Sequence, residues 1–165
     1  MRGPGALTLL AALLVPGAAL ACTCMWAGPF TKAALGSQLV VLAEVRSHDR
    51  RRMDVTVVDV LRGAERRRVL TVLGGDDASC RPPVAGFPPG TRWLFALQRT
   101  PEHDYGLSVC GEFWLEVRGD QAVGRITTAQ FSQALQSAPL ADVLAWVRSG
   151  GTVPLTPRTL PSGAR

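Results

Sequence analysis

Two hydrophobic patterns divide the chain. From Gln38 to Ile126 the apolar positions fall in short, mostly alternating runs, whereas from Thr128 to Val147 they recur every three or four residues. Leu39, Val40, Val41 and Leu42 sit together within Gln38–Val45, which predicts a strand covered on both faces for part of its length. Met53, Val55 and Val57 alternate, and the pattern then slips by one residue to Val58 and Val60, as it would at a β-bulge. Arg62-Gly63-Ala64-Glu65 reads as a turn, and Arg68–Leu73 returns with Val69, Thr71 and Leu73 on one face, so the pair forms a hairpin. Gly74–Gly90 is a long loop rich in Gly, Pro and Asp that carries Cys80; such loops are tied down or functional. Trp93, Phe95 and Leu97 alternate through Thr91–Gln98 and predict a central strand. A polar connection, Pro101 to Tyr105, leads to short strand-like pieces at Leu107–Cys110, Phe113–Val117 and Gln121–Ile126.

The helical signals lie outside this block. Lys32–Leu35 has room for a turn or two of helix ended by Gly36, and Thr128–Gln136 places Phe131, Ala134 and Leu135 at helical spacing. Leu140, Val143, Leu144 and Val147 follow i, i+3, i+4, i+7 and predict an amphipathic helix over 139–149. Pro139 suits its first turn and Gly150-Gly151 its stop. About five strands, long loops and one or two flanking helices give a mainly β fold, a small closed five-stranded barrel of the OB type. The expected layout is a barrel domain over 22–126, a helical segment packed on it over 127–150, and a disordered tail over 151–165.

The first residues stand apart. Arg2, the apolar run Leu7 to Val15 and Ala19-Leu20-Ala21 have the order of a signal peptide, residues 1–21, cut between Ala21 and Cys22. The run is too short to span a bilayer, and no later segment approaches the ~20 apolar residues needed. The expectation is a secreted, extracellular, monomeric protein. A lipid anchor on Cys22 is the alternative, with Ala19 at a position where a lipidation signal prefers Leu. At 165 residues, 47% of them hydrophobic, the chain has the size of one domain with a modest core, and its Gly 17 and Pro 12 favour turns and short strands.

The formal net charge is +5, and Lys32 is the single lysine among 18 basic residues. Two runs, Arg50-Arg51-Arg52 and Arg66-Arg67-Arg68, hold much of that charge. They suit an anionic glycan or surface as partner, or else solvated hairpin ends that blunt the sheet edges. No aromatic residue interleaves with them, and export keeps the chain from nucleic acid, so none is expected as a partner. His48 and His103 have no nucleophile motif beside them, and Asp76-Asp77 reads as turn chemistry rather than an acid/base pair. Neither an enzyme nor a cofactor is expected.

All four cysteines, Cys22, Cys24, Cys80 and Cys110, follow the cleavage site, which in an oxidising compartment reads as two disulfides. Cys22 and Cys24 are the worst pair to join each other, because the loop between them would be strained. In an extended segment they point to the same face. Cys22–Cys80 with Cys24–Cys110 and the crossed arrangement both remain open. A zinc site fits poorly, with two ligands one residue apart and no histidine near.

A leader cut before Cys22-Thr23-Cys24 is followed by the strand Leu39-Val40-Val41-Leu42-Ala43, a hairpin, and Ala78-Ser79-Cys80. Gly90-Thr91-Arg92-Trp93-Leu94-Phe95-Ala96 and Leu107-Ser108-Val109-Cys110 come next. Over residues 22–118 this order resembles the inhibitory domain of tissue inhibitors of metalloproteinases. The resemblance implies a netrin-like OB barrel and the pairing Cys22–Cys80 and Cys24–Cys110. It also implies a secreted inhibitor that acts in trans on zinc metalloproteases. The α-amine and carbonyl of Cys22 would chelate the protease's zinc, Thr23 would enter its specificity pocket, and Cys24 and Met25 would continue along the cleft. Ala78 and Ser79 would form a second contact strand. A netrin-like binding module for a protein or anionic glycan, without inhibition, is the alternative. The chain departs from the family in three places: no cysteine after Leu35 serves a further disulfide, Trp26 stands where proline is common, and a helix and tail replace a cysteine-rich C-terminal part.

Overall fold

The computed structural model describes residues 23–75, 79–101, 104–128 and 134–161. The signal peptide expected over 1–21 therefore lies outside the described residues, as do Cys22, Asp76, Asp77, Ala78 and His103. Among the described residues, nine strands and two α-helices follow in the order α1 (Phe30–Gly36), β1 (Leu39–His48), β2 (Arg52–Arg62), β3 (Val69–Leu73), β4 (Arg92–Arg99), β5 (Tyr105–Gly106), β6 (Trp114–Arg118), β7 (Gln121–Gly124), β8 (Gln136–Pro139), α2 (Leu140–Arg148) and β9 (Arg158–Thr159). Strands pair in the order β1-β2-β3-β5-β4, and β4 returns to β1, closing a five-stranded barrel of the OB type. The β3–β5 pairing is parallel and the other four are antiparallel.

β4 is the hub, because one edge meets β1 while the other is shared by β5 and β6. Every residue from Trp93 to Leu97 is buried, so the alternation at Trp93, Phe95 and Leu97 marks only one of two covered faces. Phe87 sits edge-on to Trp93, Phe95 and Trp114, with ring centroids 4.9, 5.5 and 5.5 Å away. From β6 the sheet continues through β7 and β8 to β9.

The bulge in β2 is where the pattern slips. Leu42 opposes Asp59 and Ala43 opposes Val57, which leaves Val58 as the extra residue, 54% exposed. A second shift follows at Leu61, which is left unopposed between the pairs Val41–Val60 and Val40–Arg62; the two shifts together return Leu61 to the face of Val55, and both are buried. In β3 the face shared by Val69 and Thr71 is the outer one, while Leu70 and Val72 point inward.

α2 begins one residue after Pro139 and buries Val143, Trp146 and Val147 against β2, β7, β8 and α1. Gly150 and Gly151, at φ +67° and +85°, end it in the left-handed region where glycine is least costly. Gly151 donates its N–H to Trp146 O at 2.9 Å. No helix among the described residues is long and apolar enough to cross a membrane.

Four expectations are corrected. Tyr105 is not part of a polar connection: it opens β5 and is 1% exposed. Leu107–Cys110 is not a strand, since the pairing stops at Gly106. The helical spacing before Gln136 gives way to β8, which alternates Gln136 and Ala138 inward and hydrogen-bonds to β7; residues 129–133 lie outside the described ones. The tail expected to be disordered contains β9, paired with β8 through Thr159 and Arg158.

Tyr105 also anchors a buried carboxylate. Glu65 accepts hydrogen bonds from the Arg67 guanidinium (2.9 Å), the Arg66 and Arg67 N–H groups (2.9 Å each) and the Tyr105 hydroxyl (2.9 Å). The Arg67 side chain is the chief cause, and with the other donors it holds the Glu65 carboxyl at about 2 against an ordinary 4.5, despite a side chain only 7% exposed. A depressed carboxyl stabilises the fold fully above pH 4.5 and loses that contribution as the pH falls through about 2. Glu65→Gln should therefore cost on the order of 2 kcal/mol at neutral pH. It should also flatten the acid limb of the stability curve, read from urea midpoints between pH 7 and pH 2. An unchanged acid limb would mean that Glu65 is not the titrating group.

Candidate functional site: the disulfide-held N-terminal edge

Thr23, Cys24 and Met25 run without regular secondary structure and are exposed, Met25 to 91%. An exposed segment needs anchors to hold one shape, and this one has several. Cys24 is bonded to Cys110, with Cα atoms 5.7 Å apart. Ala27 donates its N–H to Cys110 O (2.5 Å), and Glu112 donates to Gly28 O (3.0 Å), so residues 27–28 and 110–112 zip together. Gly111 permits that approach, because a Cβ there would meet the Ala27 side chain at 3.0 Å. Gly28, at φ +119°, then turns the chain into α1, where Phe30 and Thr31 donate to Arg125 O and Ile126 O.

The second strip is Ser79–Cys80. Cys80 is disulfide-bonded, and its sulfur lies with those of Cys24 and Cys110 within a mutual 4.8 Å. Its expected partner, Cys22, lies outside the described residues, as does Ala78. The Cys24–Cys110 bond rules out the crossed pairing, and sulfurs held in disulfides offer no thiolate to a metal. Val109 donates to Cys80 O at 3.0 Å. Cys80 is the one non-glycine at positive φ (54°) among the described residues, a conformation that costs on the order of 1–2 kcal/mol and persists only under restraint. The described chain on either side of it comes close together: Gly75 donates to Pro82 O (3.1 Å), and a Cβ on Gly75 would fall 1.9 Å from Ser79 Oγ.

Of the residues expected to make contact, the structure thus brings Thr23, Cys24, Met25 and Ser79 to one exposed edge around clustered sulfurs. Val109, 45% exposed, and Arg81 were not singled out in the sequence and stand beside them. Only the adjacency of Val109 to Cys110, and of Arg81 to Cys80, could have signalled it.

The arginine runs occupy turns. Asp49 Oδ1 accepts the N–H groups of Arg51 (2.8 Å) and Arg52 (2.9 Å), fixing the β1–β2 turn and lowering the Asp49 pKa. Arg66–Arg68 lies in the β2–β3 connection, with Arg67 bonded to Glu65 and its guanidinium 5.6 Å from the Tyr105 ring centre. His48 is exposed at the end of β1. Comparison of the chain with protein-family models and with curated proteins finds no match.

Proposed function

We propose that the mature chain, exported and cut before Cys22, inhibits zinc metalloproteases by inserting this edge into the active-site cleft. The observation that carries the reading is the Cys24–Cys110 bond with the Cys80 sulfur beside it, under a segment as open as Met25. Rigid and projecting at once, such an edge has little ordering left to lose on binding.

The chemistry follows from the terminus. A catalytic zinc with three protein ligands keeps one position for water. An α-amine has a pKa of roughly 7.7–8.0, so a useful neutral fraction exists near pH 7. With the Cys22 carbonyl oxygen, that nitrogen closes a five-membered ring around the metal and displaces the water that would attack substrate. Thr23 then fills the adjoining specificity pocket, Cys24 and Met25 lie along the cleft, and Ala78 and Ser79 form the second strip. The inhibitor performs no reaction.

The test is titration of zinc-metalloprotease catalytic domains with the mature protein, alongside Thr23→Gly. Thr23 is exposed, so its truncation should leave the melting temperature unchanged. It should weaken inhibition about tenfold, the equivalent of one small side chain withdrawn from a pocket. Failure of the native chain to inhibit any domain, or equal inhibition by both chains, would overturn the reading.

A further inference from the structure

We infer that Met25 is a site of oxidative modification, where a peroxide converts the thioether to the sulfoxide and so loosens the edge from its protease; the loosening rests on the inhibitor reading. The sequence holds 3 methionines, Met1, Met25 and Met53. Met1 belongs to the expected leader, which leaves Met25 and Met53 as the thioethers of the mature chain. They stand at opposite extremes. Met53 lies in β2, paired with His48 of β1 and Val72 of β3, and is 1% exposed within the barrel core. Met25 is 91% exposed. No cysteine among the described residues is free, so no thiolate there competes for the oxidant.

The backbone that carries Met25 is held on both sides. Cys24, immediately before it, is bonded to Cys110, and Ala27, two residues after it, donates its N–H to Cys110 O at 2.5 Å. Both anchors converge on one residue, so the chain at Met25 spans a short arc between fixed points and its side chain stands off into water. An unbranched thioether is the most adaptable of apolar side chains, which suits it to an irregular partner surface. On the free protein the same exposure delivers it to any oxidant in solution.

The step balances with hydrogen peroxide alone. A sulfur lone pair attacks one peroxide oxygen, the S–O bond forms as the O–O bond breaks, and the departing hydroxide takes up the proton left on the transferred oxygen. Sulfoxide and water result, the sulfur losing two electrons and the peroxide gaining them. The apolar side chain becomes polar and chiral, with an oxygen that accepts hydrogen bonds. Along a protease cleft that oxygen gives up its water, and nothing in the fit of a thioether provides a donor in exchange. Docking works in the opposite sense, because a covered sulfur is shielded from peroxide. The modification therefore acts on the free inhibitor, and methionine sulfoxide reductases can reverse it.

The test is brief treatment of the native mature protein with hydrogen peroxide, removal of the excess, peptide mass mapping, and titration of a zinc-metalloprotease domain that the untreated chain inhibits. Met25 should convert first, with Met53 reacting roughly a hundredfold more slowly, since its sulfur meets oxidant only when the barrel opens. The treated chain should melt as the untreated one does and inhibit about tenfold less well. Met25→Leu should inhibit within about twofold of the native chain and be indifferent to peroxide, whereas Met25→Gln should inhibit as weakly as the sulfoxide. In a preformed complex, oxidation of Met25 should slow about tenfold or more. Equal rates at Met25 and Met53, or equal inhibition by treated and untreated chains, would overturn the inference and leave the inhibitor reading standing. So would a Met25 that oxidises as fast in the complex as outside it, or a peroxide effect that survives in Met25→Leu. An untreated chain that inhibits no domain would sink the inhibitor reading and the loosening with it, while the mass map decides the modification by itself.

Discussion

One alanine added ahead of Cys22 should raise the inhibition constant against a zinc metalloprotease on the order of a thousandfold. The extra residue converts the α-amine into an amide, which has no lone pair to give a metal, and thrusts bulk into the place of the zinc-bound water. Loss of one metal bond together with that clash is worth about 4 kcal/mol, which is the stated factor. Fold stability should not change, because the segment from Thr23 to Met25 is exposed. The same logic sets a pH dependence: the amine binds metal only when neutral, so inhibition should weaken as pH falls below about 7.7. Both are read from steady-state inhibition of a catalytic domain. An extended chain that inhibits as well as the native one would refute the zinc-capping mechanism outright.

Replacing Cys24 and Cys110 together by alanine should cost about 4.5 kcal/mol by the chain-entropy argument, a large part of the 5–15 kcal/mol typical of a domain. The bridge spans 86 residues, which puts it among the longer loops to which that argument applies. The loss should appear as a drop in the denaturant midpoint, with a steeper slope because the denatured chain without the cross-link exposes more surface. A second effect is separable from it. At temperatures where the variant remains folded, dissociation from a protease should quicken more than association slows, because the edge must be re-ordered in the bound state. A variant within 1 kcal/mol of the native chain would show that the hydrogen bonds Ala27–Cys110 and Glu112–Gly28 hold the edge unaided.

Much of the barrel was legible because its signals are local. The slip at Val57–Val58 marks the bulge, the run from Trp93 to Leu97 marks the central strand, and Leu140, Val143, Leu144 and Val147 mark α2. What escaped depends on distant partners. Tyr105 sits in a polar stretch, and its burial comes with pairing to Val72 and Arg99 and with Glu65, forty residues away, which accepts its hydroxyl. β8 hides under helical spacing because Gln136 looks exposed, yet Thr127 satisfies its amide: the Thr127 N–H donates to Gln136 Oε1 at 2.8 Å, and Gln136 Nε2 donates to Thr127 Oγ1 at 3.1 Å. β9 is two polar residues recruited by backbone bonds alone. At the candidate site, cysteine count and position were enough to foresee the tethered edge. The nearness of Val109 and Arg81 to it had only their adjacency to Cys110 and Cys80 as a signal, since spacing does not say what a loop will lie against.

The distance between Cys24 and Cys110 also bears on how the protein is made. On the proposed export, amino end first, the thiols of Cys22 and Cys24 emerge long before the residue that Cys24 must meet. Cys80 arrives earlier than Cys110, and order of arrival alone gives it no reason to leave Cys24 untouched. Correct pairing should then be selected by closure of the barrel, in which residue 110 meets residue 27, rather than by the sequence of emergence. Production in a host compartment with a disulfide isomerase should favour the native form, while rapid oxidation of the nascent chain should trap the mispaired one.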